Sequence, residues 1–269
     1  MRSAIINVMA RACYKVARGL IHDFGEVEQL QVSRKGPADF VSTADLGAQR
    51  GLVRELSRAR PDYGFLLEEA APVESRDPLG RRWIVDPLDG TTNYLHGLPH
   101  WAISVGLEES GELVAGVIYD PVRDELFWAE KGAGAFLNNR RLRVAERRGL
   151  TQSLIATGLP FAGQGDHDAA FSQLRAVAAE TAGIRRTGAA ALDLAYVAAG
   201  RYDGFWENGL QPWDIAAGIV LVREAGGYVT DRAGGRDMMV SGDVVAASAR
   251  VHHRLFALVR ARRDRTPPS

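Results

Sequence analysis

Asp86 and Asp89 are two acids three positions apart in the run Trp83-Ile84-Val85-Asp86-Pro87-Leu88-Asp89-Gly90-Thr91-Thr92-Asn93-Tyr94. Ile84 and Val85 read as the end of a buried strand. Pro87 has no N–H to offer a ladder, so the strand is expected to stop before it, and Gly90 frees the backbone to turn. The pair has two chemical readings. An ionised carboxylate is costly to bury unpaired, so two held this close ask for a cation between them, and an oxygen-rich site suits Mg²⁺. Alternatively Asp89 caps the following turn and its neighbours are solvated. This stretch alone leaves both open.

Three further acids stand out. Glu68 and Glu69 follow the apolar Phe65-Leu66-Leu67, and Asp214 stands where an apolar helix begins. Each has a plain explanation, since adjacent glutamates suit a solvated loop and an aspartate at a helix entrance satisfies orphan amides. Their joint arrangement adds something. Each acid follows an apolar segment or opens a buried-looking helix, where the backbone is rigid enough to hold a ligand, and two-metal sites are assembled from such positions.

The elements that must position these acids follow from periodicity. Residues 3–22 place Ile5, Ile6, Met9, Cys13, Val16, Ala17 and Leu20 on one helical face. Residues 33–38 read as a loop, Phe40-Val41 as a short strand, and 46–58 as a helix with Asp45 near its start. Segments 101–107, 113–119 and 125–129 read as antiparallel strands joined by hairpins, followed by a glycine-rich turn over 131–139. A strand is expected at 153–158, a helix at 166–182, and a tightly packed helix at 189–199 closed by Gly200. An aromatic strand at 203–207 precedes an apolar helix from Ile215 to Ala225, with Asp214 at or next to its N-cap. A last helix spans about 250–262, and 263–269 is a polar tail expected to fray. Without an internal repeat or long linker, the chain is expected to fold as one unit of 1–269 with two packed sub-layers, roughly 1–145 and 146–262. Interleaved helices and strands make the class α/β.

Composition narrows the partners. The 269 residues are 46% hydrophobic, ample for a large core, and 33 Lys plus Arg balance 33 Asp plus Glu. No basic field marks a nucleic-acid binder. A single cysteine, Cys13, rules out an internal disulfide and fits a reducing compartment, where it reads as a small core residue. No apolar run approaches the roughly 20 residues of a membrane span, and Arg11 and Lys15 interrupt the N-terminal apolar positions too early for a signal-peptide core. The cytoplasm is the expected location. His96, His100, His252 and His253 lack metal-ligand spacing, and the basic cluster Arg140, Arg141, Arg143, Arg147 and Arg148 reads as a solvated face.

The run 83–93 resembles the first hallmark of the inositol monophosphatase family, and Trp213-Asp214-Ile215-Ala216-Ala217-Gly218, continuing to Glu224-Ala225-Gly226-Gly227, resembles its second. Glu68-Glu69 and Asp39-Phe40-Val41-Ser42-Thr43-Ala44-Asp45 stand in the order the family has them, so the likeness covers about residues 3–260. It implies a five-layer αβαβα sandwich of the sugar phosphatase type, a homodimer, and a Mg²⁺-dependent, Li⁺-sensitive phosphomonoesterase. By the same likeness Glu68, Asp86 and the Leu88 carbonyl hold one Mg²⁺, and Asp86, Asp89 and Asp214 a second. A weaker third lies near Glu68. Thr91 partners the attacking water, with Glu68 or Asp45 as the acid behind it. Gly90 and Thr91 present amides to the phosphate, and Gly188, Ala189, Ala190 and Glu207 meet the alcohol, so that Asp89, Asp214 and these residues line the substrate.

Departures from the family pattern are modest. Leu67 replaces a small or polar residue, and Ala189 replaces Ser or Thr at a contact made through the backbone. Thr92-Asn93-Tyr94 is similar to the inositol-phosphatase branch rather than the nucleotide-directed one, which makes inositol 1-phosphate the expected substrate. Fructose-1,6-bisphosphatase and histidinol-phosphatase activities remain alternatives with the same acids. The run 188–201 is especially similar to bacterial members known as extragenic suppressor proteins, some of which act in transcription and RNA processing through protein partners. A transcription-machinery partner with secondary phosphatase activity is therefore a rival of another class.

Overall fold

The computed structural model describes residues 2–24, 32–36, 39–147 and 149–260. Helix α1 (Ala4–Phe24) leads to strands β1 (Val32–Gly36) and β2 (Asp39–Ser42), then α2 (Thr43–Ala59), β3 (Gly64–Leu67), β4 (Arg82–Asp89) and α3 (Thr91–Leu95). A meander follows: β5 (Ala102–Glu109), β6 (Glu112–Asp120), β7 (Glu125–Glu130), β8 (Gly134–Leu137) and β9 (Arg140–Arg141). The remainder comprises β10 (Leu154–Thr157), α4 (His167–Ala178), β11 (Gly183–Arg185), α5 (Ala190–Ala198), β12 (Gly204–Glu207), α6 (Pro212–Glu224), β13 (Tyr228–Thr230), α7 (Met238–Ser241), β14 (Val244–Ala247) and α8 (Ala249–Arg260).

Strands β3 to β9 lie in sequence order in a seven-stranded sheet, parallel only between β3 and β4. A five-stranded sheet has the order β11-β10-β12-β14-β13. Alternation along each strand assigns its two faces to different neighbours. In the larger sheet Val117 and Tyr119 pack with α1 and α2, while Ile118 packs with α5 and α6. In the smaller sheet Ala156, Phe205 and Ala246 face α5 and α6, while Ile155, Trp206 and Val245 face α8 and the end of α4. The layers therefore run helix, sheet, helix, sheet, helix, the αβαβα order expected. Cys13 is buried in the α1 face, and Arg140, Arg141, Arg143 and Arg147 are exposed. No helix among the described residues is long and apolar enough to cross a membrane.

Four local expectations need correction. The segment 33–38, read as a loop, instead supplies most of β1, which pairs antiparallel with β2. The helix expected over 166–182 stops at Ala178, and Gly183–Arg185 forms a strand parallel to β10. The glycine-rich turn over 131–139 holds β8, because Gly132 and Gly134 take positive φ on either side of one tight reversal and leave Gly134–Leu137 extended against β7. The helix expected over 46–58 starts earlier, at Thr43, so that Asp45 lies within its first turn. The frayed tail and Arg148 lie outside the described residues.

The middle helix α6 lies directly on the large sheet. A Cβ built on Gly116 of β6 would stand 2.6 Å from the Ala217 carbonyl oxygen and 2.7 Å from its Cα, and one on Gly106 of β5 would stand 2.9 Å from the Ala216 Cβ. Gly116→Val is expected to cost roughly 1–3 kcal/mol, the range for overpacking a core with no room to relax. Urea unfolding measures it, and an unchanged midpoint would show that the helix does not need this contact.

Candidate active site

The acids of the first hallmark sit on strand rather than loop. β4 continues through Asp89 instead of ending at Val85, with Asp86 opposite Ser104 and Asp89 opposite Ala102 on β5. The register shifts between them, so Pro87 and Leu88 occupy an irregularity in the ladder. Proline is tolerated there because no donor is required of it. The Leu88 N–H turns back to Asp86 Oδ1 at 2.8 Å. Both acids are buried.

Gly90 follows with φ +90°, a left-handed conformation that favours glycine. Space demands glycine too, since a Cβ there would stand 3.1 Å from the His100 carbonyl oxygen and 3.3 Å from the Ala189 Cβ. Gly90 thus lets the end of β4 close onto the loop 187–190. Thr91 opens the five-residue α3, and its hydroxyl lies 3.0 Å from both Asp45 Oδ1 and the Leu88 carbonyl. Asp45, in the first turn of α2, is wholly buried.

Asp214 is the third residue of α6, not its cap. Gln211 is the cap, and Asp214 Oδ2 accepts from the Gln211 N–H at 2.8 Å in a reciprocal capping box, with Pro212 opening the helix. Glu68 lies just past β3, its N–H donating to the Val85 carbonyl at 3.3 Å. The neighbouring Glu69 N–H is held by Gln49 Oε1 of α2 at 2.9 Å. Asp89 Oδ2 accepts from the Ala191 N–H at 2.9 Å, joining β4 to the first turn of α5.

Electrostatics gathers these acids into one group. Burial pushes the Asp86 carboxyl well above the ordinary carboxylate range, and Glu68, Asp89 and Asp214 add to the effect, with the Glu68 side chain in hydrogen-bond contact. Burial likewise raises Asp89, followed by Asp214. The Ala191 N–H opposes the shift, while Asp193 and Glu207 reinforce it. Among the described residues, no three carboxylate, imidazole or thiol groups form a closed ligand cage, because the aspartates are turned to backbone donors. The donor chemistry nevertheless fits Mg²⁺. Glu68, Asp89 and Asp214 stand within electrostatic reach of the buried Asp86, and their hard oxygens, with the Leu88 carbonyl two residues along, are of the type a divalent cation takes, whose charge would relieve the repulsion that disfavours ionisation.

On the far side of Gly90 lie Gly188, Ala189, Ala190 and Glu207. Gly188 has φ +86°, Ala189 caps α5 with extended backbone, and Ala190 begins the helix. Glu207 ends β12, and burial pushes its carboxyl up to about 8, reinforced by Asp193 and Asp214 and opposed by Arg186. Sequence reading missed the groups that hold this loop. Asn93 Nδ2 donates to the carbonyls of His100 and Thr187, each at 2.8 Å. The Thr187 hydroxyl donates to Asp193 Oδ1 at 2.6 Å. Asp193 had a visible signal, a lone acid inside the otherwise apolar Ala190–Ala198 helix. Asn93 had none beyond its type.

Comparison with known proteins agrees with this architecture. The model of the inositol monophosphatase family matches residues 1–264. An inositol-1-monophosphatase of Mesorhizobium japonicum is 56% identical over 96% of this chain and 97% of its own length. A protein of Pseudomonas aeruginosa called Nus factor SuhB is 41% identical over 98% of each. The crystal structure of extragenic suppressor protein suhB from Bartonella henselae superposes with a TM-score of 0.93 at 54% identity, covering 96% of this chain and 99% of that one. The chain belongs to the inositol monophosphatase family, a family of metal-dependent phosphatases that act on small phosphorylated substrates.

Asp193 offers a pH test of the loop. Burial raises its carboxyl to about 7, although the Thr187 hydroxyl and the Arg186 charge pull the other way. The neutral form is the native one, so its contribution to stability is whole below the unfolded value of about 4 and is lost as pH rises through about 7. Asp193→Asn stays neutral throughout. Urea unfolding across that window is expected to show the variant gaining on the unsubstituted protein as pH rises, and a constant difference would contradict the burial.

Proposed function

We propose that this chain hydrolyses phosphate monoesters of polyols, inositol 1-phosphate foremost, with water as the nucleophile. The observation that supports this reading is the electrostatic coupling of the buried Asp86 and Asp89 to each other and to Asp214, with Glu68 acting on Asp86. Glu68, Asp86 and the Leu88 carbonyl would hold one Mg²⁺, Asp86, Asp89 and Asp214 a second, with a weaker third near Glu68. When bound, such ions neutralise phosphoryl oxygens, acidify water and stabilise a leaving alkoxide.

The chain's own groups handle the proton. Thr91 Oγ1 stands 3.0 Å from Asp45 Oδ1, so the hydroxyl can accept from an attacking water while donating its own proton to Asp45, a relay that leaves the Asp45 carboxyl protonated. Glu68 is the second acid suited to that role. The backbone of Gly90 and Thr91 would receive the phosphate, bare of a side chain at 90. The alcohol would lie against Gly188, Ala189 and Ala190, with Glu207 accepting from its hydroxyls. The same reading includes a homodimer in solution.

A second reading has support in the relatives called Nus factor SuhB, 41% identical over nearly the whole chain. On that reading the chain works through a protein partner of the transcription machinery, and phosphate release is secondary. An Asp89→Asn variant separates the two: retention of the cellular role without phosphate release favours the partner.

Phosphate release is to be measured on inositol 1-phosphate, fructose 1,6-bisphosphate, histidinol phosphate and a 3′,5′-bisphosphonucleotide while Mg²⁺ is varied. Inositol 1-phosphate is expected to turn over fastest, EDTA to abolish the activity, Mg²⁺ to restore it and Li⁺ to inhibit it. Asp89→Asn is expected to lower kcat/KM by at least about a hundredfold, since a metal's hold on the transition state is worth several kcal/mol. Turnover of none of the four would sink the hydrolase reading.

A further inference from the structure

Thr157 of β10 and Trp206 of β12 are register partners across a parallel pair, so the next residues along, Gly158 and Glu207, leave that pair side by side. The Glu207 carboxyl lies over Gly158. A Cβ built on Gly158 would stand 1.8 Å from Oε1, 2.0 Å from Cδ and 2.2 Å from Oε2 of Glu207, so all three nearest obstructing atoms belong to one carboxyl group. Gly158 is absent from the residues with positive φ. Its backbone is therefore one that any residue can adopt, and the missing side chain serves space alone. The obstructing atoms are the tip of a flexible side chain, so a methyl group there displaces the carboxyl rather than the strands.

We propose that Gly158 is a positioning residue for alcohol selectivity: its empty Cβ volume is the seat in which the Glu207 carboxyl lies, and that seat sets the preference for hydroxyl-rich leaving alcohols. The proposal rests on the alcohol-side role given to Glu207 above. A phosphate ester whose alcohol carries no further hydroxyl, such as p-nitrophenyl phosphate, has no use for the carboxyl. Displacing Glu207 then weakens one class of substrate and spares the other.

The test measures kcat and KM for inositol 1-phosphate and p-nitrophenyl phosphate in Gly158→Ala, Glu207→Ala and the double variant, with a crystal structure of Gly158→Ala. The ratio of kcat/KM for inositol 1-phosphate over p-nitrophenyl phosphate is expected to fall roughly tenfold or more in Gly158→Ala, the scale of a lost charged hydrogen bond. p-Nitrophenyl phosphate is expected to be nearly unaffected, and the double variant to match Glu207→Ala. Equal losses on both substrates, or additive losses in the double variant, would overturn the proposal. So would a Glu207 carboxyl still in its present place in the Gly158→Ala structure. If Glu207→Ala leaves the ratio unchanged, the alcohol-side role of Glu207 falls, and the selectivity assigned to Gly158 with it. Should Gly158→Ala fail to fold, the double variant empties the slot and is expected to fold, and its failure would likewise overturn the proposal.

Discussion

The close contact of α6 with the large sheet governs the site. A helix placed between two sheets ordinarily stands off from each by the width of the side chains packed between them. Here Gly106 and Gly116 remove the side chains from the sheet, and Ala216 and Ala217 reduce them on the helix. Gly218 does the same toward Leu194 of α5, where an added Cβ would stand 2.4 Å from Leu194 Cδ1. Only with that approach does the first turn of α6 bring Asp214 within electrostatic reach of Asp86 and Asp89 on β4. The contact also makes a carbonyl available to the strands, since Ser104, the residue facing Asp86 on β5, donates its Oγ–H to the Trp213 oxygen at 3.3 Å.

Packing thus brings together charges that repel. Burial and mutual proximity both raise Asp86, and the same forces raise Asp89. The fold offsets part of the cost with backbone donors: the Leu88 N–H on Asp86, the Ala191 N–H on Asp89 and the Gln211 N–H on Asp214. Each donor comes from a short, fixed piece of backbone: the β4 irregularity, the first turn of α5 and the cap of α6. The three aspartates are therefore oriented by the backbone itself. Donors of this kind stabilise a carboxylate without neutralising it.

Much of this was legible in the chain itself, because strong periodicity and side-chain type survive translation into structure. The apolar face of α1, the meander from β5 to β7 and the apolar α6 follow directly from residue spacing. What was not legible depended on partners distant in sequence. Pro87 was expected to end β4, but the pairing of Asp89 with Ala102 restores the strand beyond an irregularity that the sequence of β4 alone does not reveal. Gly183–Arg185 lacks a strand signal of its own and is extended because β10 lies beside it. The segment Ser33-Arg34-Lys35-Gly36 pairs with β2 although its composition suits a loop. Asp214 was placed at the helix entrance, yet Pro212 carries the helix start two residues back and turns a cap into a capping-box partner. The loop-holding roles of Asn93 and Asp193 depend on Thr187, and no local pattern links positions 93 and 187.

The two sides of the site have different sources of rigidity, and that difference bears on how the family can vary its substrates. Asp86 and Asp89 stand on β4, which is buried almost throughout so that a shift in one would move the layer, while Glu68 past β3 and Asp214 in the first turn of α6 are half-buried. The residues proposed to meet the alcohol stand on the loop 187–190 and on the end of β12, held by a few identifiable ties: Asn93 to Thr187, Thr187 to Asp193, and Gly158 beneath Glu207. A change in one of those ties re-aims a side chain without disturbing the sheet beneath it. On the proposed placement of the alcohol, substrate preference can drift while the acids on β4, β3 and α6 stay in place, so a shared set of acids is a poor guide to the leaving alcohol, and the ties around Glu207 are the better one.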